Sequence, residues 1–377
     1  MLEKRWLHLL QAIVNINTGT GNVKGCNRVR DLLVPAFTDL GLKARVDTVH
    51  DGHQVVVFEH PEATKPRLVL VGHIDTVFPE TSPFSSFHSD STRLTGPGVI
   101  DMKGGIVLML DILSSLTRDE ELRQVRVILN DDEEIGSIHS ATRLKELGLG
   151  IPFGLVFEPG LPDEAFVNSE SGVLWAELQV IGKAAHAGLE HELGVNAALA
   201  LAHHLVRLGA WTNYEKERTL NIGTITGGTR PNMVCEAASA RIDVRYTDPA
   251  DFADIENILS QIDKAPSLRN QAGEAAKTQV STLVHVPSFT QGSAEALLPF
   301  LRAAGTKTQQ RVACRHVGYT SDANHLAQTG MSLLVGLGPC GGGMHTDHEF
   351  MLVESYARRR TLGITLIREI LAGRCCD

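Results

Sequence analysis

The sequence predicts a mixed α/β protein: a discontinuous domain with a mostly parallel sheet flanked by helices, and a smaller ferredoxin-like α+β domain inserted into it. Three observations carry this. From Trp6 to about Glu170, short apolar runs alternate with helical stretches. Between residues 172 and 286 the elements run strand, helix, strand, strand, helix, strand. After Pro287 the first pattern returns.

Taken in order, the first helix is amphipathic, with Leu2, Trp6, Leu9, Leu10, Ile13 and Val14 on one side. His8 and Gln11 interrupt its apolar stretch and no small-residue cleavage site follows, so it reads as part of the fold and not as a signal peptide. Strands are expected over 54–59, 67–72, 125–130 and 155–158, and helices over 27–40, 104–116 and 140–147. Leu68-Val69-Leu70-Val71 is unbroken by polar residues, as expected of a strand covered on both faces of a parallel sheet. The inserted block has strands over 173–181, 219–226, 236–246 and 278–286 and helices over 195–208 and 249–262, with Gly182, Gly227 and Gly228 at its turns. A helix over 294–304, a second opening near Asp322, a strand over 332–336, the glycine-rich 338–343 loop and a helix over 353–371 complete the chain. The expected domains are therefore 1–171 with 287–377, and 172–286.

Composition narrows the function classes. The 377 residues are 43% apolar and 21% charged, ordinary values for a globular chain with a large core. A net charge of −9 disfavours nucleic acid and anionic membranes as partners, and no run of about 18 apolar residues occurs to span a bilayer. The six cysteines (Cys26, Cys235, Cys314, Cys340, Cys375 and Cys376) form no CxxC pair and read as reduced thiols of a cytoplasmic protein.

The informative residues lie where strands end. Strand 67–72 runs into His73-Ile74-Asp75, whose side chains at i and i+2 face one crevice. The 96–100 loop delivers Asp101, strand 125–130 ends in Asp131-Asp132-Glu133-Glu134, and strand 155–158 ends in Glu158-Pro159-Gly160. In open α/β sheets the site lies outside the carboxyl ends of the strands. Asp75, Asp101, Glu133, Glu134 and Glu158 converging there would repel one another, and cations remove that cost. Imidazole and carboxylate without thiolate suit Zn²⁺ or a similar transition metal better than Ca²⁺. Three ligating carboxylates and one hydroxide balance two divalent ions. A second imidazole is available on the 341–349 loop, where His345 and His348 are equal candidates by context.

These motifs, HxDTV, GPGVxDMKGG, DEExGS, EPG, GKxxHAG and the C-terminal HTxxE, resemble in sequence and order the dinuclear-zinc peptidase and deacylase family of carboxypeptidase G, acetylornithine deacetylase, succinyl-diaminopimelate desuccinylase and aminoacylase. The resemblance implies a zinc-peptidase-like domain with an inserted dimerisation domain, and two Zn²⁺ per chain, with Co²⁺ or Mn²⁺ able to substitute. It implies that His73 and Glu158 hold one ion, that Glu134 and His345 hold the other, and that Asp101 bridges them. Asp75 would orient His73, and Glu133 would be the general base that activates a metal-bridging water. His186 would donate to the oxyanion in the partner subunit of a homodimer, while Asn232 and Arg245 would touch a small peptide or N-acyl amino acid substrate.

The form of the HxDTVFP and GPGVxDMKGG segments looks most like the carboxypeptidase G branch, which implies hydrolysis of an amide next to a free carboxylate. An N-acyl amino-acid deacylase is the alternative on the same metal site. Two departures stand out: Tyr319 replaces a glycine of the family's GGTSDAN segment, and Val286 stands where the glutamate-releasing branch has an arginine. Trp175 and the pair His203-His204 read as packing or surface residues.

Overall fold

A computed structural model of the chain describes residues 2–116, 118–264 and 268–373. The chain divides into two units: one is Met1–Glu170, Phe289–Val317 and Ser321–Asp377, the other Ser171–Ser288 with Gly318–Thr320. Cys26, Cys235, Cys314 and Cys340 are free thiols, and Cys375 and Cys376 lie outside the described residues.

The first unit is built on an eight-stranded sheet. Leu68–His73 pairs in parallel with Val125–Asn130 on one side and Phe153–Val156 on the other, and Ser332–Val335 extends the parallel set beyond Phe153–Val156. Every residue of Leu68–His73 is buried. Alternation explains how: Leu68 and Leu70 face the core that holds helices Lys4–Val14, Lys103–Leu113 and Val353–Ala372, while Val69 and Val71 face the core of Ala141–Gly148 and Asp322–Ala327.

Three further strands are not apparent from hydropathy. Lys43–Thr48 is a largely exposed edge strand, antiparallel to Gln54–Glu59, so its polar sequence carries no core pattern. Phe166–Glu170 meets Ser332–Val335 in antiparallel fashion, and Cys314–Val317 pairs in parallel with Phe166–Glu170. The helix expected over 294–304 is a 3₁₀ segment, Gln291–Leu297, followed by the α-helix Leu298–Thr308, whose first turn takes Pro299 without losing a hydrogen bond. A small sheet of His88–Ser89, Arg93–Thr95, Phe350–Leu352 and Gly341–Gly342 pins the C-terminal glycine-rich loop to the segment before Asp101.

The second unit is a four-stranded antiparallel sheet in the order Thr219–Gly227, Ala237–Tyr246, Gly172–Ile181, Lys277–Val286. With helices Ala197–Gly209 and Pro249–Lys264 it has the strand-helix-strand-strand-helix-strand order of a ferredoxin-like fold. Leu174, Ala176, Leu178 and Val180 point into its core, and Trp175 between them is exposed. Among the described residues, no helix is long and apolar enough to cross a membrane.

Candidate metal centre

Adjacent parallel strands carry the first residues to one edge of the sheet. His73 closes Leu68–His73 and is fully buried. Its Nδ1 lies 3.1 Å from the Asp75 carbonyl and 3.3 Å from Asp75 Oδ1, which leaves Nε2 to face the cluster. Nε2 is 3.3 Å from Asp101 Oδ1, 3.5 Å from Glu158 Oε1 and 3.9 Å from Glu133 Oε2. The second oxygen of Asp101, Oδ2, is 3.2 Å from His345 Nε2, which is itself 3.2 Å from Glu134 Oε2. Asp101 thus stands between two imidazoles, each with a glutamate beside it.

The donor set fits metal ions. Among the described residues, His73 Nε2 and Glu158 Oε1 are buried without a hydrogen-bond partner, a costly state for polar atoms unless a cation binds them. Ligand atoms of His73, Asp101 and Glu134 lie within 4.8 Å of one another. All are nitrogen or carboxylate oxygen, the ligands zinc and its neighbours take.

Buried contacts fix each side chain. Asp75 Oδ1 accepts the backbone N–H of Glu133 at 3.2 Å, and Oδ2 accepts that of Glu134 at 3.2 Å and the Thr20 hydroxyl at 2.9 Å. One carboxylate therefore positions His73 and the turn that carries both glutamates. Asp322 Oδ1 accepts the Ser137 hydroxyl at 2.6 Å and the Asn130 amide at 3.2 Å, tying the 321–327 segment to the same turn. Gly105 lets helix Lys103–Leu113 approach closely, since a Cβ there would lie 2.1 Å from the Phe157 carbonyl. Buried Lys103 donates from Nζ to the Ile16 carbonyl at 3.1 Å. Asp322 belongs to the segment that resembles GGTSDAN, whereas Thr20 and the Lys103 contact escape a sequence reading; for Lys103 the unusual Lys-Gly-Gly helix start is the available signal.

The charges are strongly coupled. Burial opposes ionisation of Asp101, but the imidazoles of His345 and His73, each beside one of its oxygens, hold it well below the usual carboxylate range. Those contacts with Asp101 and Glu134 push His345 up to about 10. Burial alone would lower His73, yet the Glu158 charge and the close Asp101 and Asp75 carboxylates raise it well above an ordinary imidazole. Burial lifts Glu134 to about 7 and Glu133 well above the carboxylate range. A cavity of about 570 Å³ opens beside Glu134, walled by Gly19–Asn22, Thr76, Val77, Pro79 and Glu80.

The remaining expected site residues lie in the second unit. His186 is exposed, and its Nδ1 accepts the Gly188 N–H at 3.2 Å, which puts the ring proton on Nε2 as a free donor. Ala187 N–H donates to the Asn232 carbonyl at 3.0 Å, so His186 and Asn232 sit on paired loops. Arg245 is engaged by Asp243, with Nε to Oδ1 at 2.8 Å and Nη2 to Oδ2 at 2.9 Å. Trp175 Nε1 donates to the same Asp243 Oδ2 at 2.6 Å, and His204 is buried with Nε2 3.2 Å from Thr278 Oγ1. His348 lies beside Asp347 on the exposed loop, outside the cluster.

Comparison with known proteins agrees with this architecture. Carboxypeptidase G2 of Pseudomonas sp. (strain RS-16) is 27% identical over 382 residues, covering 97% of this chain and 89% of its own length. A tripeptidase from Staphylococcus aureus superposes with a TM-score of 0.78 at 22% identity, covering 98% of both chains. A metallo-carboxypeptidase from Sulfolobus solfataricus gives 0.75 at 16% identity, covering 98% of this chain and 100% of its own. Both superpositions show the shared fold. Residues 69–369, from inside the strand that delivers His73 to the end of the last helix, match one family of metal-dependent hydrolases, and the chain belongs to peptidase family M20/M25/M40.

Proposed function

We propose that this hydrolase cleaves an amide bond next to a free carboxylate, as a carboxypeptidase G-like enzyme, on a pair of zinc ions held by His73, Asp101, Glu134, Glu158 and His345. The observation that carries the reading is the placement of Asp101, whose two oxygens face His73 and His345 separately. Co²⁺ or Mn²⁺ would fit the same donors. When bound, two divalent ions acidify a water and polarise the scissile carbonyl.

The chain's own residues supply the rest. Glu133 takes the proton of the attacking water and returns it to the departing amine. Burial suits Glu133 to this, because a carboxyl raised from its ordinary range is a stronger proton acceptor than a solvated carboxylate. Asp75 keeps His73 oriented and holds the Glu133 backbone in place. His186 offers its Nε2–H to the oxyanion across a homodimer, with Asn232 on the paired loop contacting substrate. Arg245, steadied by Asp243 and by a 3.5 Å contact from Nη1 to the Gly318 carbonyl, would turn its guanidinium to the substrate carboxylate.

The likeness to carboxypeptidase G2 supports the peptidase reading over an N-acyl amino-acid deacylase. Steady-state rates on dipeptides, their C-terminal amides and N-acyl amino acids test it. Dipeptides with a free carboxylate should turn over fastest. Equal rates on the amides would remove carboxylate recognition, and a preference for simple N-acyl amino acids would establish the deacylase.

A further inference from the structure

We propose that His50, Asp51 and His139 form a second, peripheral transition-metal site, separate from the catalytic centre. His50 and Asp51 sit in the turn between strands Lys43–Thr48 and Gln54–Glu59. His139 follows the turn that carries Glu133 and Glu134. None of the three side chains belongs to the His73 cluster.

Geometry favours a metal over a chance surface grouping. One ligand atom from each residue lies within 4.8 Å of the other two, and His50 Nδ1 is 3.1 Å from Asp51 Oδ2. Zinc bonds of about 2.1 Å at a tetrahedral angle place neighbouring ligand atoms about 3.4 Å apart. The His50–Asp51 pair already has that spacing, and the His139 ligand atom lies within 4.8 Å of both.

His139 is held ready from behind. Its ring stacks on His53, with centroids 4.6 Å apart and planes 10° from parallel. Buried His53 is itself fixed by Asp131, Nδ1 to Oδ1 at 2.9 Å. The His139 backbone N–H donates to Asp132 Oδ2 at 2.8 Å. On its other side, the His139 ring lies 5.6 Å from the ring of exposed His50. Ordering ligands usually costs side-chain entropy on binding, and here the inner ligand is ordered beforehand.

Chemistry sets the class of ion. Two imidazoles and one carboxylate make a borderline donor set that suits Zn²⁺, Cu²⁺ or Ni²⁺ and is poor for Ca²⁺ or Mg²⁺. With three protein ligands and exposure at His50 and Asp51, the fourth position is open to water. Occupancy would clip the 48–54 turn to the segment that follows the catalytic glutamates.

Equilibrium dialysis of the zinc-loaded protein against increasing Zn²⁺ at neutral pH tests this. Wild type should bind one equivalent beyond the catalytic centre. His50→Gln and His139→Gln should each weaken that equivalent by at least about tenfold, the scale on which even supporting residues affect metal affinity. His50 is exposed, so its variant leaves folding intact, and exposed His8→Gln should bind as wild type. His345→Gln should lose metal from the centre yet keep the His50-dependent equivalent. No additional equivalent in wild type, or the same uptake by both His50→Gln and His139→Gln, would overturn the proposal.

Discussion

Glu349 Oε1 accepts the backbone N–H of Asp101 at 3.2 Å, so the C-terminal loop sets the position of the residue proposed to bridge the metals. The same carboxylate takes the N–H of Ile100 at 2.9 Å and of Gly98 at 3.0 Å, and it is fully buried. Three converging N–H groups need an acceptor with two oxygens. In Glu349→Gln one oxygen becomes an NH₂ that faces a donor, and the 98–101 loop must shift. Metal affinity should fall about 10–100-fold, the usual effect of losing a supporting group. Unchanged metal retention on dialysis would show that the loop holds Asp101 without Glu349.

Adjacent Glu133 and Glu134 should separate by experiment. Glu134 Oε2 lies 3.2 Å from His345 Nε2, whereas Glu133 Oε2 lies 3.9 Å from His73 Nε2. Glu133→Gln should retain metal and lose roughly 10²–10⁴ in kcat, the span of general acid–base catalysis. Glu134→Gln should lose metal from the His345 side. Metal analysis of both variants decides the assignment, and loss of metal from Glu133→Gln would exchange the two roles.

Much of this arrangement is legible in the sequence, for a physical reason. Strands buried on both faces must be apolar, so Leu68–His73 and Val125–Asn130 stand out, and polar residues at and just past their carboxyl ends mark the cleft. Lys43–Thr48 is hidden because an exposed edge strand needs no apolar pattern. The supporting shell is hidden for another reason. Thr20 is an ordinary polar residue and Glu349 closes the HTxxE motif, but their partners lie 55 and 248 positions away, and only the folded chain brings Thr20 to Asp75 or Glu349 to Asp101.

Metal loading should release protons. In the metal-free protein His345 is held up to about 10, and His73 well above an ordinary imidazole, so both carry a proton at neutral pH. Ligating imidazoles must be neutral and ligating carboxylates ionised. Binding should therefore displace at least two protons, one from each imidazole, with Glu134 at about 7 adding part of another, and tighten as pH rises. Titration calorimetry in buffers of different ionisation enthalpy counts them. His345→Gln should release about one fewer. Binding without proton release would mean that these histidines are neutral beforehand or do not ligate.

Stability should carry the signature of Glu170, a buried carboxyl outside the ligand set. Its Oε2 accepts the Ser321 hydroxyl at 2.8 Å, and its Oε1 has no hydrogen-bond partner among the described residues. Burial pushes it up to about 8 from the usual 4.5, the Glu158 charge adds to this, and the Ser321 hydrogen bond opposes it. Between those values the folded chain keeps a proton that the unfolded chain has lost. Stability from this group is therefore complete below the unfolded value and is lost as pH rises through the folded one. Glu170→Gln is neutral at every pH and lacks that slope. Denaturant midpoints of the metal-loaded proteins should show the variant gaining on wild type steadily from acidic to mildly alkaline pH. A difference that stays constant across that range would mean that Glu170 is already ionised in the fold, with a partner for its second oxygen.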